Sequence, residues 1–122
     1  MGEPKTLLVV EDEPLVRSMI EDMLLDAGFS VHPVENGARA IELVDAIGCA
    51  IDGVVTDVRL GAGPDGWMVA RHIRGRCPGL PVIYVTGDSA HQWRAQGVPE
   101  SLLIQKPFLG AQITSAVAQL LN

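Results

Sequence analysis

Short apolar segments alternate with helical patterns along the whole chain, and this alternation constrains the fold more than any other feature. Four segments, TLLVV, GVVTDV, PVIYVTG and SLLIQ, are aliphatic without polar alternation, and a weaker fifth, SVHPV, contains Pro33. Such segments are typical of strands covered on both faces, whereas a proline favours a sheet edge. Because helical patterns separate the strands, we predict a doubly wound α/β fold of five parallel strands with helices on both faces.

Apolar residues recur at helical spacing between the predicted strands. The first predicted helix can open at Pro14 and close at Gly28, the second ends at Gly48, and the third precedes Pro78. The fourth, within SAHQWRAQGVPE, is predicted to be short and weak. The residues predicted to mark the apolar face of each helix are Val16, Met19, Ile20, Met23, Leu24 and Ala27, then Ile41, Val44 and Ile47, then Val69, Ile73 and Cys77, and finally Ile113, Val117, Leu120 and Leu121.

Length, charge and cysteine content restrict the function class. The 122 residues have room for one domain, and a net charge of -6 argues against nucleic-acid binding, which usually needs a basic surface. No apolar segment approaches the roughly 18 to 20 residues that span a bilayer, so we predict a soluble, cytoplasmic protein without membrane contact. Cys49 and Cys77 lack metal-binding spacing, and we predict two reduced thiols rather than a zinc site or a disulfide.

Polar residues follow four of the predicted strands. They are Glu11 and Asp12 after the first, Asp57 in the third, Thr86 in the fourth, and Lys106 with Pro107 after the fifth. The C-terminal ends of parallel strands share one edge of a sheet, so these side chains should converge there. Clustered carboxylates repel one another. We therefore predict a site for Mg²⁺, with Mn²⁺ as an alternative, helped by the Lys106 ammonium.

Individually, acidic residues at strand ends are usually solvated loop termini. We interpret Glu13 in this way, as an acid that complements the dipole of the first helix. A solvated loop terminus explains Asp57 less well, because Asp57 is a lone acid within the apolar segment VVTDV.

Four motifs in this order resemble the receiver domain of response regulators, the phosphoacceptor module of two-component signalling. VVEDEP matches the acidic pair, TDVRL the phosphoacceptor aspartate, YVTGDS the switch hydroxyl and QKPF the lysine and proline. The resemblance covers essentially the whole chain as a single receiver domain, residues 1–122. It implies a flavodoxin-like sheet with strand order 2-1-3-4-5.

The resemblance also implies roles for the site residues. Asp57 would take a phosphoryl group from a phosphohistidine of a histidine kinase or a histidine phosphotransfer protein. The metal ligands would be the side chains of Glu11, Asp12 and Asp57 and the main-chain carbonyl of Arg59. Lys106 would pair with a phosphoryl oxygen.

Further implied features concern the switch. The Thr86 hydroxyl would bond to the phosphoryl group, and the Lys106–Pro107 peptide bond would be cis. The face formed by the fourth helix, fifth strand and fifth helix would then rearrange for a downstream protein. The chain departs from the family at Leu103, where an aromatic switch residue is usual. Trp93 is interpreted as a ring packed on its own domain, with an exposed anchor for a partner as the alternative.

Two loop features suggest hypotheses of their own. Arg59 and Asp88 each lie two residues beyond a site residue, so their side chains could meet above the phosphoryl group and limit hydrolysis. Gly61, Gly63 and Gly66 spell GxGxxG, but they do not follow their strand directly, so we interpret them as turn residues rather than a nucleotide site.

The sequence leaves two alternatives to a free-standing phosphorylation switch. One is the receiver module of a hybrid histidine kinase. The other is a small phosphohydrolase with an aspartyl nucleophile, although Arg59 occupies the position where such an enzyme needs a second acid. We predict that the chain has no separate substrate to turn over. We also predict a monomer, because residues 109–122 carry no charge for an ion-paired dimer face.

Overall fold

The structure is a computed structural model that describes residues 2–121. Five strands alternate with five helices, and a short 3-10 turn precedes α4. The bounds are β1 Thr6–Val10, α1 Pro14–Asp26, β2 Ser30–Val34, α2 Gly37–Ile47, β3 Gly53–Asp57, α3 Gly66–Arg76, β4 Val82–Thr86, the 3-10 turn Ala90–Gln92, α4 Trp93–Gln96, β5 Leu102–Gln105 and α5 Gly110–Leu121.

The strands form one parallel sheet in the order β2-β1-β3-β4-β5. This confirms the predicted flavodoxin-like fold class. Every residue of β3 and β4 is buried, as expected for central strands. β2 lies at an edge, where the missing N–H of Pro33 costs no hydrogen bond to a further strand.

Two apolar cores lie on opposite faces of the sheet. One core joins the sheet to α2 and α3 through residues such as Val44, Val69 and Ile73. The other joins it to α1 and α5 through residues such as Leu24 and Ile113. Within residues 2–121, no helix is long and apolar enough to cross a membrane.

The predicted core face of α1 is wrong at two positions. Met19 is 45% exposed and Ala27 is also exposed, whereas Ile20 and Leu24 are fully buried. The helix ends at Asp26 because the chain turns there, with Gly28 in a left-handed conformation (φ 94°). A 13-residue helix resting on one sheet buries a narrower stripe than its apolar pattern suggested.

The prediction of two reduced thiols is also wrong. Cys49 and Cys77 form a disulfide, with their Cα atoms 5.7 Å apart. The two cysteines lie just beyond the ends of α2 and α3, and the packing of these neighbouring helices brings them together. Cys77 lies one residue beyond the end of α3 and is buried in the same core as Val69 and Ile73, on the apolar side that the sequence predicted.

The fourth helical segment is as short as the sequence predicted. α4 has four residues and follows the three-residue 3-10 turn. Trp93 is half-buried against the α2–α3 core, and its indole Nε1 donates a hydrogen bond to Ser101 Oγ at 2.9 Å. This contact agrees with a ring packed on its own domain. Leu103 packs partly buried against the same core.

Each glycine in the loop between β3 and α3 has a backbone reason. Gly61 and Gly63 adopt positive φ angles of 75° and 89°. Gly66 starts α3 against β3, where a Cβ atom would overlap the carbonyl oxygen of Asp57. Asp65 caps the helix, its side chain accepting a hydrogen bond from the Met68 N–H. The GxGxxG spacing therefore reflects a turn and a close approach between helix and strand.

We expect Gly66→Ala to lower the free energy of unfolding by about 2 to 3 kcal/mol, because the added methyl group forces α3 away from Asp57. Gly75→Ala is the matched control in the same helix, since a Cβ atom there meets nothing within 4 Å. That control should be neutral or stabilising by up to about 1 kcal/mol. Urea unfolding measures both, and equal stabilities would contradict the close approach.

Candidate functional site

The C-terminal edge of the sheet gathers three carboxylates from two neighbouring strands. Glu11 follows β1 and is 1% exposed, Asp57 ends β3 and is 8% exposed, and Asp12 is exposed. One carboxylate oxygen from each residue lies within 4.8 Å of the others. The structure thus brings together the three side chains that the sequence predicted as metal ligands.

Lys106 supplies the positive charge at this edge. Its Nζ donates hydrogen bonds to Asp57 Oδ2 at 3.0 Å and to Glu11 Oε1 at 3.3 Å. Partial burial alone would lower the pKa of Lys106, but the hydrogen bonds and charges of Asp57 and Glu11 outweigh burial and raise it. The lysine therefore stays charged at neutral pH. It precedes a cis peptide bond to Pro107, as the resemblance to receiver domains implied.

The Asp57 carboxylate is held on both sides. Its Oδ1 accepts a hydrogen bond from the Val58 N–H at 2.7 Å, while Oδ2 accepts from Lys106. β3 ends at Asp57, so its carboxylate lies at the end of the strand, and the Val58 N–H that it accepts from also donates to the Val85 carbonyl at 3.2 Å. The result is a buried carboxylate with a fixed orientation, facing a cleft.

Glu11 carries the one unsatisfied group of the site. Among residues 2–121, its Oε2 is the only buried side-chain oxygen or nitrogen without a hydrogen-bond partner. Burial, followed by the hydrogen bond and charge of Asp57, raises the pKa of Glu11 to about 8, although Lys106 opposes this. A buried oxygen without a partner beside two further carboxylates fits a hard divalent cation. These donors therefore suit Mg²⁺.

The Thr86 hydroxyl, at the end of β4, accepts hydrogen bonds from the backbone of the loop that follows. Its Oγ1 accepts hydrogen bonds from the Ser89 N–H at 3.0 Å and the Asp88 N–H at 3.3 Å. Ser89 Oγ in turn donates to Asp88 Oδ1 at 3.0 Å. Thr86 therefore anchors the start of the segment that leads to α4.

Arg59 and Asp88 meet across the cleft, as the sequence hypothesis expected. Arg59 Nε lies 3.1 Å from Asp88 Oδ2, and the two side chains are 76% and 55% exposed. Both residues line the cleft together with Asp12, Asp57 and Lys106. The role of the Arg59 carbonyl as a metal ligand stays a prediction.

Comparison with known proteins decides the family. Residues 7–118 match the family model described as response regulator receiver domain. The chain belongs to the response regulator receiver domain family. A crystal structure of a response regulator receiver protein from Sinorhizobium medicae is 48% identical, with a TM-score of 0.95, and the match covers 98% of this chain and 96% of that one.

Other similar receiver domains belong to kinases. The receiver domain of the sensor histidine kinase PA1611 from Pseudomonas aeruginosa, solved with magnesium coordinated in its active-site cleft, is 26% identical with a TM-score of 0.84. That match covers 97% of this chain and 98% of that one. The sensor kinase CckA of Brucella abortus is 31% identical over 120 residues, which cover 96% of this chain and 12% of that protein.

The chain spans only part of the curated relatives it matches. It covers 12% of the CckA kinase and about half of several transcriptional regulators. Receiver domains of two-component systems thus occur both in kinases and in regulators, and this receiver domain is similar to both kinds.

The sequence missed several contacts around the predicted residues. Nothing in it marked the Val58 N–H as the second partner of Asp57, because any residue after the strand supplies that donor. It also missed that the N–H groups of Ser89 and Asp88 donate hydrogen bonds to the Thr86 hydroxyl oxygen. The position of Gly66 against Asp57 had a signal, since the Asp65 cap fixes where α3 begins.

We expect Lys106→Met to destabilise this receiver domain by about 2 kcal/mol in Mg²⁺-free buffer, between the values for a surface and a buried ion pair, because the buried Asp57 loses its partly exposed partner. Excess Mg²⁺ should recover part of the loss, since a cation replaces the missing charge. Lys5→Met, at the only other lysine, is an exposed control. Thermal unfolding with and without Mg²⁺ measures the effect. Equal stability of the two variants in Mg²⁺-free buffer would contradict it.

Proposed function

We propose that this chain forms a single receiver domain that is phosphorylated on Asp57 by the phosphohistidine of a histidine kinase or a histidine phosphotransfer protein. The observation that carries the proposal is the orientation of Asp57: a buried carboxylate at a cleft, held by the Val58 N–H and the Lys106 ammonium. Receiver domains act with such phosphodonors in two-component systems.

The chemistry is a direct phosphoryl transfer. One Asp57 oxygen attacks the phosphorus, a new P–O bond forms as the P–N bond of the donor breaks, and the electron pair leaves with the imidazole nitrogen. When bound, Mg²⁺ neutralises charge on the phosphoryl oxygens. Glu11, Asp12, Asp57 and the Arg59 carbonyl would hold the ion, with Mn²⁺ as an alternative.

Lys106 has a second role in this proposal. Its ammonium already lies 3.0 Å from Asp57, so it can pair with a phosphoryl oxygen once the carboxylate has become an acyl phosphate. This exchange keeps a charged partner on Lys106 before and after the reaction. The positive charge is therefore never left unpaired.

The output would run through Thr86. Its hydroxyl can donate to a phosphoryl oxygen while its oxygen still accepts from the Ser89 and Asp88 N–H groups, so the loop would follow the side chain inward. The loop leads into the 3-10 turn and α4, next to Trp93 and Leu103. We propose this α4–β5–α5 face as the surface that an unidentified downstream protein reads.

Two settings suit this function. The domain is either a separate regulator or relay intermediate, or a module of a hybrid histidine kinase, as in the similar receiver domain of the hybrid kinase CckA. In both settings it would act in the cytoplasm, as a monomer, without turning over a separate substrate.

We expect the wild-type protein to gain one phosphoryl group when it is incubated with Mg²⁺ and acetyl phosphate, because the oriented Asp57 carboxylate is the nucleophile. Asp57→Asn should gain none, whereas Asp26→Asn, at an exposed acid at the end of α1, should behave as wild type. Intact mass spectrometry measures the gain. Equal phosphorylation of Asp57→Asn and wild type would refute the assignment of Asp57.

A separate proposal concerns the lifetime of the acyl phosphate. The pair of Arg59 and Asp88 crosses the cleft above Asp57, so it restricts the approach of water to the phosphorus. Both side chains are mostly exposed, so the pair adds little to stability.

We expect Arg59→Ala and Asp88→Ala each to shorten the acyl-phosphate lifetime by up to about fivefold, equivalent to about 1 kcal/mol in the hydrolysis barrier. Opening the cleft gives water a freer path. Phosphate release after removal of the donor measures the lifetime. Unchanged lifetimes in both variants would dismiss the gate.

A further inference from the structure

The Cys49–Cys77 disulfide lies outside the phosphorylation site. Cys49 follows α2, and Cys77 follows α3 directly. α3 begins beside Asp57 and runs the length of the sheet, so its end and the disulfide lie at the opposite edge from the site. The bond closes a segment of 28 residues in sequence separation and ties the far ends of two helices.

The two cysteine residues differ in exposure. Cys49 is exposed, whereas Cys77 is only 5% exposed. An open depression beside the bond is lined by Ile51, Asp52, Pro78 and Gly79 as well as by the cysteines. A small thiol can therefore reach the Cys49 sulfur more readily than the Cys77 sulfur.

We propose that Cys49 and Cys77 form a reversible redox site that exchanges with small thiols of the glutathione class. This rests on the proposed cytoplasmic location, where disulfides are usually transient and redox-sensing. A thiolate attacks Cys49 Sγ, a mixed disulfide forms, and Cys77 leaves as a thiolate that takes up a proton. A second thiolate then attacks the sulfur of the first small thiol, releasing a small-molecule disulfide and the Cys49 thiolate, which is protonated in turn. The reverse reaction, with the oxidised small-molecule disulfide as the oxidant, restores the bond.

The domain stays folded when the bond opens. Cys77 belongs to the core shared by α2 and α3, but Val44 of α2 and Val69 and Ile73 of α3 are fully buried in it as well, and reduction removes none of these side chains. Asp45 Oδ1, near the end of α2, also lies 2.8 Å from Arg76 Nη1 and 2.8 Å from His72 Nε2, both of α3. These groups are partly exposed, so the two contacts add little to stability. Reduction therefore loosens the ends of α2 and α3 and leaves the sheet intact.

Equilibration in buffers of varied reduced-to-oxidised glutathione ratio tests the site. We expect free thiols, alkylated and counted by mass spectrometry, to change from two to none as the ratio falls. The reduced form should melt roughly 10 °C below the oxidised form, because the cross-link no longer restricts the unfolded chain. Beryllofluoride with Mg²⁺ should stabilise both forms, because the disulfide is remote from Asp57.

Single variants test the asymmetry. Cys77→Ala should take up one glutathione on Cys49, whereas Cys49→Ser should leave Cys77 largely unmodified in the native state. The proposal is overturned if wild type keeps two free thiols in fully oxidised glutathione, if the disulfide survives excess reduced glutathione, if the melting temperatures coincide, or if the two variants react equally. A beryllofluoride response without a redox response would count against this site alone, and the converse would count against the proposed phosphorylation function alone.

Discussion

The charged edge of the sheet depends on the ion pairs that the Lys106 ammonium forms with Asp57 and Glu11. Three carboxylates within 4.8 Å of one another, two of them buried, repel strongly in a poorly solvated site. Lys106 reaches both buried acids, yet Oε2 of Glu11 still lacks a partner. The edge is therefore stable enough to fold and retains one unsatisfied oxygen. A site that is complete without its cation would bind the cation weakly, so this incompleteness serves binding.

The sequence predicted those parts of the molecule that follow from periodicity and topology. β1, β3 and β4 are largely apolar without polar alternation because helices cover both their faces, and this pattern is visible without any structure. Pro33 marked an edge for an equally local reason. Parallel strands end at one edge, so residues far apart in sequence, such as Glu11 and Lys106, could be placed together by topology alone.

The features that the sequence did not predict depend on how complete helices and strands pack together, and the local sequence pattern carries no information on that packing. Met19 continues the apolar spacing of α1 but lies beyond the stripe that the sheet covers. Cys49 and Cys77 showed no recognisable spacing because their distance is set by the ends of two neighbouring helices. Gly66 has the spacing of a nucleotide-binding motif, but glycine is required there because a Cβ atom would overlap the Asp57 carbonyl oxygen.

Leu103 lies beside a buried aromatic ring, and this contact bears on the proposed switch. It pairs with Tyr84 across β4 and β5, and the Tyr84 ring is fully buried against Trp67 with centroids 4.6 Å apart. The Tyr84 hydroxyl accepts a hydrogen bond from the Val98 N–H at 3.1 Å, so rotating this ring would break a buried contact.

The loop after Thr86 offers an easier path than a ring rotation. Thr86 holds the Ser89 N–H, the Ser89 carbonyl accepts from the Gln92 N–H, and the Gln92 side chain accepts from the Trp67 indole. These contacts follow one another along the loop at 3.0 to 3.4 Å, so an inward shift of Thr86 is expected to move the loop with it. Since Leu103 stands where the aromatic switch residue is usual, we propose the backbone of this loop as the element that rearranges on phosphorylation. The short α4 is compatible with this proposal, since four helical residues resist such a shift less than a long helix packed along the sheet would.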